Sequence, residues 1–309
     1  MRYLKYILYL SPILIFIAAI SVRQLNEGAL GTYSNPVKIY FTPSVDAKRI
    51  SFNAKSLTDY LHNETGYYFT TAVPASFIAV VEAFGTGKAD IAAINTFSYL
   101  MANAKYGAEA KLRVVREGGE TSYKGQFITR FDSGINSIED INNRTMAYVD
   151  PSSTSGYILP KAMLQSKGIR PSETVFAMRH DNVVTMVYQG QVDAGATYYA
   201  PPDTETGEIM DARMRVLKQF PDVAQKIKII GFTQDIPNDP WVFRKDMSET
   251  MKDKIINALL KFVKTPEGKK SLFDIYDITG LVPTKDSDYD GLRKLLEEQH
   301  ISFDKLVKK

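Results

Sequence analysis

The stretch TMAYVDPSSTSGYILPKAML, residues 145–164, joins a strand pattern directly to a helix pattern. Residues 145–149 are apolar and β-prone, which predicts a buried strand, whereas the residues from Ser155 to Lys167 have helical spacing. A strand followed at once by a helix is typical of βαβ units, in which helices cover both faces of a mainly parallel sheet. The stretch therefore predicts an α/β fold.

The same alternation continues on both sides of this stretch. Further extended patterns are predicted at 37–42, 67–73, 90–95, 112–117, 174–179, 193–199, 226–233 and 240–244. Helical patterns are predicted near 51–64, 76–84, 97–105 and 182–189, and from Ser248 onward. Residues 123–134, YKGQFITRFDSG, are extended and end in turn residues, which favours a crossover between two lobes.

We accordingly expect two lobes, each with a mainly parallel sheet flanked by helices, that are joined by crossing strands. Lobe 1 is predicted to comprise residues 37–125 and 235–309, and lobe 2 residues 126–234. The length of 309 residues also exceeds the roughly 100 to 200 residues of a typical single domain. A cleft between two such lobes is a common place for a small-molecule site.

The amino terminus carries a signal for export or membrane anchoring. Arg2 and Lys5 precede the uncharged apolar run YILYLSPILIFIAAISV, residues 6–22. Its 17 residues are few for a membrane span of roughly 17–25 and many for a signal-peptide core of about 7–15. Residues 1–23 are therefore expected to be either a cleaved signal peptide or an uncleaved anchor, with residues 24–36 as a polar tether. The basic flank predicts that the remainder lies outside the cytoplasm.

The charge distribution excludes several classes of partner and chemistry. Removing Arg2, Lys5 and Arg23 from the 38 basic residues leaves 35, against 35 acidic residues. A globular part without net charge has no general attraction for nucleic acid or anionic lipid, so neither is expected as a partner. The chain has no cysteine, which excludes thiol catalysis, a disulfide framework and lipid modification of an amino-terminal cysteine.

The strand-to-helix junction within residues 145–164 has the residues to bind an anion. Ser153, Thr154 and Ser155 each offer a hydroxyl donor, and the first turn of the predicted helix adds N–H groups and the positive end of its dipole. Gly156 has no side chain to obstruct the approach of a ligand. Serine and threonine are also ordinary helix caps, but a consecutive Ser-Ser-Thr-Ser-Gly exceeds what a cap requires. We therefore expect a compact oxyanion to bind here.

From these residues the chain resembles the phosphate-, phosphite- and phosphonate-binding proteins of ABC importers. The resemblance covers most of residues 37–265. It implies a two-lobed periplasmic-binding fold of type II. It also implies an extracytoplasmic solute-binding protein that closes around a small oxyanion and delivers it to permease subunits in the membrane. The matching segments include DIAAINTFSYLM (90–101), MAYVDPSSTSGYILPKAMLQSKGI (146–169), HDNVVTMVYQGQVDAGATY (180–198) and IPNDPWVFRKDM (236–247).

The resemblance implies ligand contacts from both lobes. Three consecutive hydroxyl side chains would hold the phospho group, and a histidine, a first-lobe tyrosine and an acidic residue near the lobe crossing would complete the site. The positions are Ser153, Thr154, Ser155, His180, Tyr99 (on or near this position) and Asp239.

Three of these positions also have ordinary structural interpretations. His180 precedes the predicted helix at 182–189, where a lone histidine is commonly a structural hydrogen-bonding group. Tyr99 fits the buried face of a helix, and Asp239 lies in Asn-Asp-Pro, a plain turn signal. The sequence leaves both interpretations open.

One departure from the family bears on the ligand. Aminoalkylphosphonate binders place a carboxylate just after the strand that corresponds to DAGAT (193–197), but this chain has Tyr198, Tyr199, Ala200 and Pro201 there. A ligand amine would therefore lack part of its expected partner. The resemblance favours a small inorganic anion or a compact organic phosphonate, without deciding among phosphate, phosphite and phosphonate.

Two other classes of function are weighed against this one. An enzyme is not expected, because the chain has no G-x-S-x-G, P-loop, G-x-G-x-x-G after the first strand or H-x-x-x-H motif. Its three dispersed histidines also predict no zinc site, and no cofactor is expected. The alternative is a ligand-sensing domain that signals through a separate membrane partner, since sensing and transport use the same ligand chemistry. In either role the protein is expected to be a monomer.

Overall fold

The computed structural model describes residues 28–298, in which two β-sheets organise two α/β lobes. Lobe 1 denotes the elements around the six-stranded sheet, and lobe 2 those around the five-stranded sheet. The six-stranded sheet contains β1 (Val37–Phe41), β2 (Phe69–Ala72), β3 (Ile91–Ala93), β4 (Glu109–Val115), β10 (Pro240–Phe243) and β11 (Gly280–Pro283). The five-stranded sheet contains β5 (Ser122–Arg130), β6 (Thr145–Tyr148), β7 (Glu173–Phe176), β8 (Ala194–Tyr199) and β9 (Ile227–Pro237).

Nine α-helices connect these strands within the described residues. In lobe 1 they are α1 (Ala47–Thr65), α2 (Phe77–Gly85), α3 (Thr96–Tyr106), α7 (Glu249–Phe262), α8 (Pro266–Tyr276) and α9 (Asp290–Glu298). In lobe 2 they are α4 (Leu159–Ser166), α5 (His180–Tyr188) and α6 (Val223–Lys226). The order of strands and helices follows the sequence prediction up to β10, apart from α6, which was not predicted. β11 interrupts the carboxy-terminal part, which was expected to be helical from Ser248 onward. The α/β assignment with two sheets is confirmed.

The sheets are mixed, which corrects the expectation that each is mainly parallel. In lobe 1 the strand order is β11-β4-β10-β3-β1-β2, and only the pairs β3–β1 and β1–β2 are parallel. In lobe 2 the order is β7-β6-β8-β5-β9, and β5 is antiparallel to both β8 and β9. The antiparallel pairs involve the strands on either side of the lobe crossings, together with the edge strand β11. Periodicity reports which face of a strand is buried, but the direction of a strand depends on its connections.

The chain crosses between the lobes at the start of β5 and at the end of β9. Ser122 pairs with Pro237, and from there the two strands run side by side through lobe 2. β10 follows after two residues and enters the sheet of lobe 1 between β3 and β4. These two adjacent crossings place Asp239, in the turn between β9 and β10, at the junction of the lobes.

The amino-terminal predictions fall partly outside the described residues. Residues 1–23, with the predicted signal or anchor, are not among them. Of the predicted tether, residues 28–36 form turns that pack on lobe 1, where the Tyr68 amide donates to the carbonyl of Gly31 at 2.8 Å. Within 28–298, no helix is long and apolar enough to cross a membrane.

The junction of α7 and α8 is tightly packed and leads to a residue that matters for the site. α8 begins with Thr265 as its N-cap and ends at Asp277, whose backbone is left-handed with φ 57°. Gly268, in the first turn of α8, lies against α7 so closely that a Cβ atom would come within 1.8 Å of the Phe262 carbonyl oxygen. The path of α8, and with it the position of Asp277, depends on this close approach.

We expect Gly268→Ala to destabilise the protein by about 1–3 kcal/mol or more, because the added methyl group meets backbone that cannot rotate away. Gly291→Ala is the matched control: it also lies in a helix, but a Cβ there has no neighbour within 4 Å. That substitution should stabilise by about 0.5–1 kcal/mol through helix propensity. Urea unfolding of both variants tests the difference, and equal effects would contradict the packing argument.

Candidate functional site

A cavity of about 50 Å³ lies between the two lobes. Lobe 1 contributes the ends of β1, β3 and β4 and the turn before β10, and lobe 2 contributes the junction after β6 and the start of α5. The lobes contact each other around it: the His180 amide donates to the Ser44 carbonyl at 3.3 Å, and the Phe77 amide to Asp150 Oδ2 at 3.4 Å. The protein is therefore in a closed form.

The junction after β6 is a π-helical turn, Thr154–Ile158, that continues into α4. Pro160 has no N–H, so it cannot bond to the carbonyl of Gly156 one turn earlier. That carbonyl accepts from the Val149 amide at 3.1 Å instead, and the Ile158 amide reaches back to the Ser153 carbonyl at 2.9 Å. The predicted helix thus begins with a widened turn, whose first amides, at Thr154 and Ser155, precede the turn's own hydrogen bonds.

Ser153 and Ser155 line the cavity, as the oxyanion hypothesis requires. The Ser153 oxygen accepts from the Gly156 amide at 3.1 Å, so the serine caps the turn while its hydroxyl hydrogen stays available. Gly156 itself has a different role from the one expected. A Cβ atom there would lie 2.4 Å from Val149 Cγ2, so the glycine allows the turn to pack on the end of β6 rather than admitting a ligand.

Thr154 points away from the cavity and bridges the lobes. Its hydroxyl donates to Asn95 Oδ1 at 2.9 Å and accepts from the Phe97 amide at 3.0 Å. Asn95 and Phe97 belong to the start of α3 in lobe 1. The middle residue of the Ser-Thr-Ser motif therefore connects the cavity-lining turn to the opposite lobe when the lobes are closed.

His180 is the first residue of α5 and lines the cavity. Its Nδ1 lies 2.7 Å from the Thr197 hydroxyl, and its ring packs edge-on against Tyr198. Burial, together with the nearby positive charges of Arg215 and Arg116, lowers the pKa of His180 to about 3. The imidazole is therefore neutral at physiological pH. When the Thr197 hydroxyl donates to Nδ1, Nε2 carries the hydrogen and can donate to a ligand.

Asp239 borders the cavity, and its carboxylate is held on both sides by lobe 1 and the crossing strand. Oδ1 accepts from the Tyr123 hydroxyl at 3.3 Å, and Oδ2 lies 3.5 Å from Arg116 Nη2. Burial raises the pKa of Asp239, although Arg116 and the hydrogen bond from Tyr123 oppose the shift. The Asn-Asp-Pro sequence does form a turn, and the turn aims the carboxylate at the cavity.

The structure does not bring Tyr99 to the cavity. Its side chain is fully buried in the core of lobe 1, where it packs edge-on against Tyr289 and donates to Asp286. Asn95, four residues earlier, is the residue of this helix start that lines the cavity.

Sequence reasoning missed two arginines and one aspartate in the cavity wall: Arg116, Arg215 and Asp277. Arg116 directly follows β4, and its Nη1 donates to the Tyr276 carbonyl at 2.5 Å. Arg215 lies in the 3-10 turn Ala212–Val216 of lobe 2 and forms an ion pair with Asp277 of lobe 1. No local pattern links these positions. A usable signal was the place of Arg116 at the end of a buried strand, where side chains face the cleft.

Comparison with known proteins agrees with this geometry. The profile of a family described as the periplasmic substrate-binding protein of ABC phosphonate transporters matches residues 39–289. The phosphate-import protein PhnD of Mycolicibacterium smegmatis is 24% identical over 271 residues, which cover 82% of this chain and 83% of that protein.

Two solved structures have the same fold. One is a binding protein component of an ABC phosphonate transporter from Pseudomonas aeruginosa, with a TM-score of 0.75 at 22% identity, covering 86% of this chain and 87% of that one. The other is PhnD1 from Prochlorococcus marinus in complex with methylphosphonate, with a TM-score of 0.72 at 16% identity, covering 86% and 98%. With the family profile matching most of the chain, this protein belongs to the phosphonate-type periplasmic substrate-binding proteins of ABC transporters.

Proposed function

We propose that this protein captures a compact phosphorus oxyanion in the cavity between its lobes and delivers it to the permease of an ABC importer. Ser153, Ser155, His180 and Asp239 are the proposed ligand contacts from the predicted set. The observation that carries the proposal is the pair of serine hydroxyls, which face a closed interlobe cavity from the first turn of a helix.

The donors around the cavity suit an oxyanion because there are several of them and none has to change its protonation state to donate a hydrogen bond. Two hydroxyls, the amides at the start of the turn and the neutral His180 can each donate to a ligand oxygen. Helix amides and their dipole favour negative charge at this end. Hydrogen bonds to an ionised group contribute about 1.5–3 kcal/mol each, roughly twice as much as neutral ones.

The size of the cavity favours a small ligand over a long one. A water molecule needs about 10–15 Å³ of such space, so about 50 Å³ holds roughly three to five water-sized groups. Phosphate, phosphite and methylphosphonate meet this limit, and methylphosphonate is the ligand named for the Prochlorococcus relative. 2-Aminoethylphosphonate would add a longer arm to the same small cavity, where the carboxylates of Asp239 and Asp277 are each already paired with an arginine.

The family also implies permease partners and a location outside the cytoplasmic membrane. We further propose that the protein acts as a monomer, without catalysis, and that residues 6–22 direct it to its location as a signal peptide or as an anchor. Transport is preferred to sensing because the relatives are components of importers.

A ligand that binds only the folded protein raises its unfolding temperature. We expect an increase with phosphate, phosphite or methylphosphonate at millimolar concentration, and a smaller one or none with 2-aminoethylphosphonate. Thermal unfolding with each anion, with sulfate and chloride at equal ionic strength as controls, measures the shift. No shift with any phosphorus oxyanion would overturn the proposed function.

The Ser153→Ala/Ser155→Ala variant removes two donors to the charged ligand, so its affinity should fall about a hundredfold or more. Ser153 also caps the turn, and its loss should cost about 1 kcal/mol of stability, which denaturation of the unliganded protein measures separately. Ser166→Ala is the control, because this serine is exposed at the far end of α4. Titration calorimetry compares the three proteins. Unchanged affinity in the double variant would remove the motif from the site.

The neutral state of His180 has a consequence for stability. Its folded pKa of about 3 lies below the ordinary 6.5, so between these values the unfolded chain binds a proton that the closed protein does not. The contribution is therefore complete above pH 6.5 and is lost as the pH falls towards 3. Urea unfolding between pH 7 and 4 should show a steeper loss for the wild type than for His180→Asn. Parallel curves would contradict the buried neutral histidine.

A further inference from the structure

Arg215 holds a special place in the cavity wall, because it reaches across the cleft. It belongs to lobe 2, and its guanidinium pairs through Nη2 with Asp277 at the end of α8 in lobe 1. The two side chains are only 4% and 5% exposed. Tyr198 joins them: its hydroxyl accepts from Arg215 Nε at 3.2 Å and lies 3.2 Å from Asp277 Oδ2, to which it can donate.

One donor of this guanidinium is left over. Throughout residues 28–298, nothing accepts a hydrogen bond from the buried Nη1 of Arg215. A buried donor on a charged group that lacks an acceptor is costly, more so than a neutral one. Since Arg215 lines the cavity, an anionic oxygen in the cavity is the acceptor that would satisfy it.

Arg116 offers a contrast that separates ligand binding from closure. Its partners, the Tyr276 carbonyl and Asp239, lie in lobe 1 and at the crossing, on the same side as Arg116 itself. Its pairing therefore does not need the lobes to meet. Arg215 meets Asp277 only when they do, so in an open form both groups would be solvated.

We propose that Arg215 is a ligand contact that makes closure depend on a bound anion: Nη1 donates to an oxygen of the phosphorus oxyanion, and Nη2 pairs with Asp277 across the cleft. This inference rests on the proposed function. It adds a positively charged ligand contact from lobe 2. Closing without an anion buries an unsatisfied guanidinium hydrogen, whereas closing on an anion satisfies it. Closure is then favoured by ligand and disfavoured in its absence.

The variants can be distinguished because each leaves a different net charge in the cavity wall. Arg116 with Asp239 and Arg215 with Asp277 form two neutral pairs. Arg215→Met leaves Asp277 as an unpaired negative charge that repels an anion. Asp277→Asn leaves the cavity more positive, and asparagine tolerates the left-handed backbone at this position. Arg215→Met/Asp277→Asn restores neutrality without the donor.

The experiment is a double-mutant cycle in which the dissociation constant for methylphosphonate, and for phosphate, is measured by calorimetry at pH 7. We expect Arg215→Met to weaken binding about a hundredfold or more, and Asp277→Asn to stay within about tenfold of wild type. The double variant should remain at least about tenfold weaker, because the donor to the ligand is still missing. It also guards against a folding failure of the first variant, since it buries no unpaired charge.

Arg179→Met serves as the matched control. Arg179 also pairs across the lobes, with Asp46 at 3.3 Å, but at the exposed rim and away from the cavity. Its loss should change the dissociation constant by less than about fivefold.

Three results would count against the inference. Equal losses in the two single variants would mean that Arg215 acts only through its pair with Asp277. Recovery of wild-type affinity in the double variant would mean that Arg215 only neutralises Asp277. Either result overturns the ligand contact while leaving the proposed function in place, whereas a wild type that binds neither anion overturns both.

Discussion

Burying charge between two lobes is the constraint on which this structure depends. Closure places two arginines and two aspartates in the wall of one small cavity, and each charge needs a partner once water is excluded. Two ion pairs meet most of that need. Among the described residues, four buried atoms of cavity-lining residues have no hydrogen-bond partner: Arg116 Nε, Arg215 Nη1, Trp241 Nε1 and Asp277 Oδ1. The closed form therefore leaves donors and one acceptor unsatisfied at the cavity, and the proposed oxyanion would accept from donors among them.

The residues of the Ser-Thr-Ser motif have two different roles, one at the cavity and one between the lobes. Ser153 and Ser155 face the cavity, whereas Thr154 bonds to Asn95 and Phe97 in the opposite lobe. Alternate residues of a widened turn point in different directions, so one short segment can hold an anion and join the lobes. The same turn depends on Pro160 and Gly156, which act through the backbone and the packing on β6. The motif therefore presents two hydroxyls to the cavity and forms an interlobe contact at once.

The fold could be predicted further than the site, for a physical reason. Strands and helices follow from local periodicity, and the boundaries of β1, α5 and β8 agree with the prediction to within about two residues. The prediction that each sheet is mainly parallel was wrong, because the direction of a strand depends on its connections, which periodicity does not report. Ser153 and Ser155 could be named from the run of hydroxyl residues at a predicted strand-to-helix junction, and His180 and Asp239 from the family resemblance. Arg215 and Asp277 could not, because they meet only through the packing of the two lobes, 62 residues apart along the chain.

Tyr198 shows how a tyrosine in place of an expected carboxylate keeps the cavity wall polar. Tyr198, near the end of β8, belongs to the segment where the family resemblance implies a carboxylate in amine-binding members, and its hydroxyl lies between Arg215 and Asp277. A carboxylate does reach this part of the cavity, but it comes from the end of α8 and arrives already paired with a guanidinium. Asp277 Oδ2 holds that guanidinium, and Oδ1 has no donor. The pair therefore offers one unsatisfied donor, Arg215 Nη1, to an oxyanion, and one unsatisfied acceptor to a ligand group that carries a hydrogen, such as the P–OH of a protonated phosphorus oxyanion.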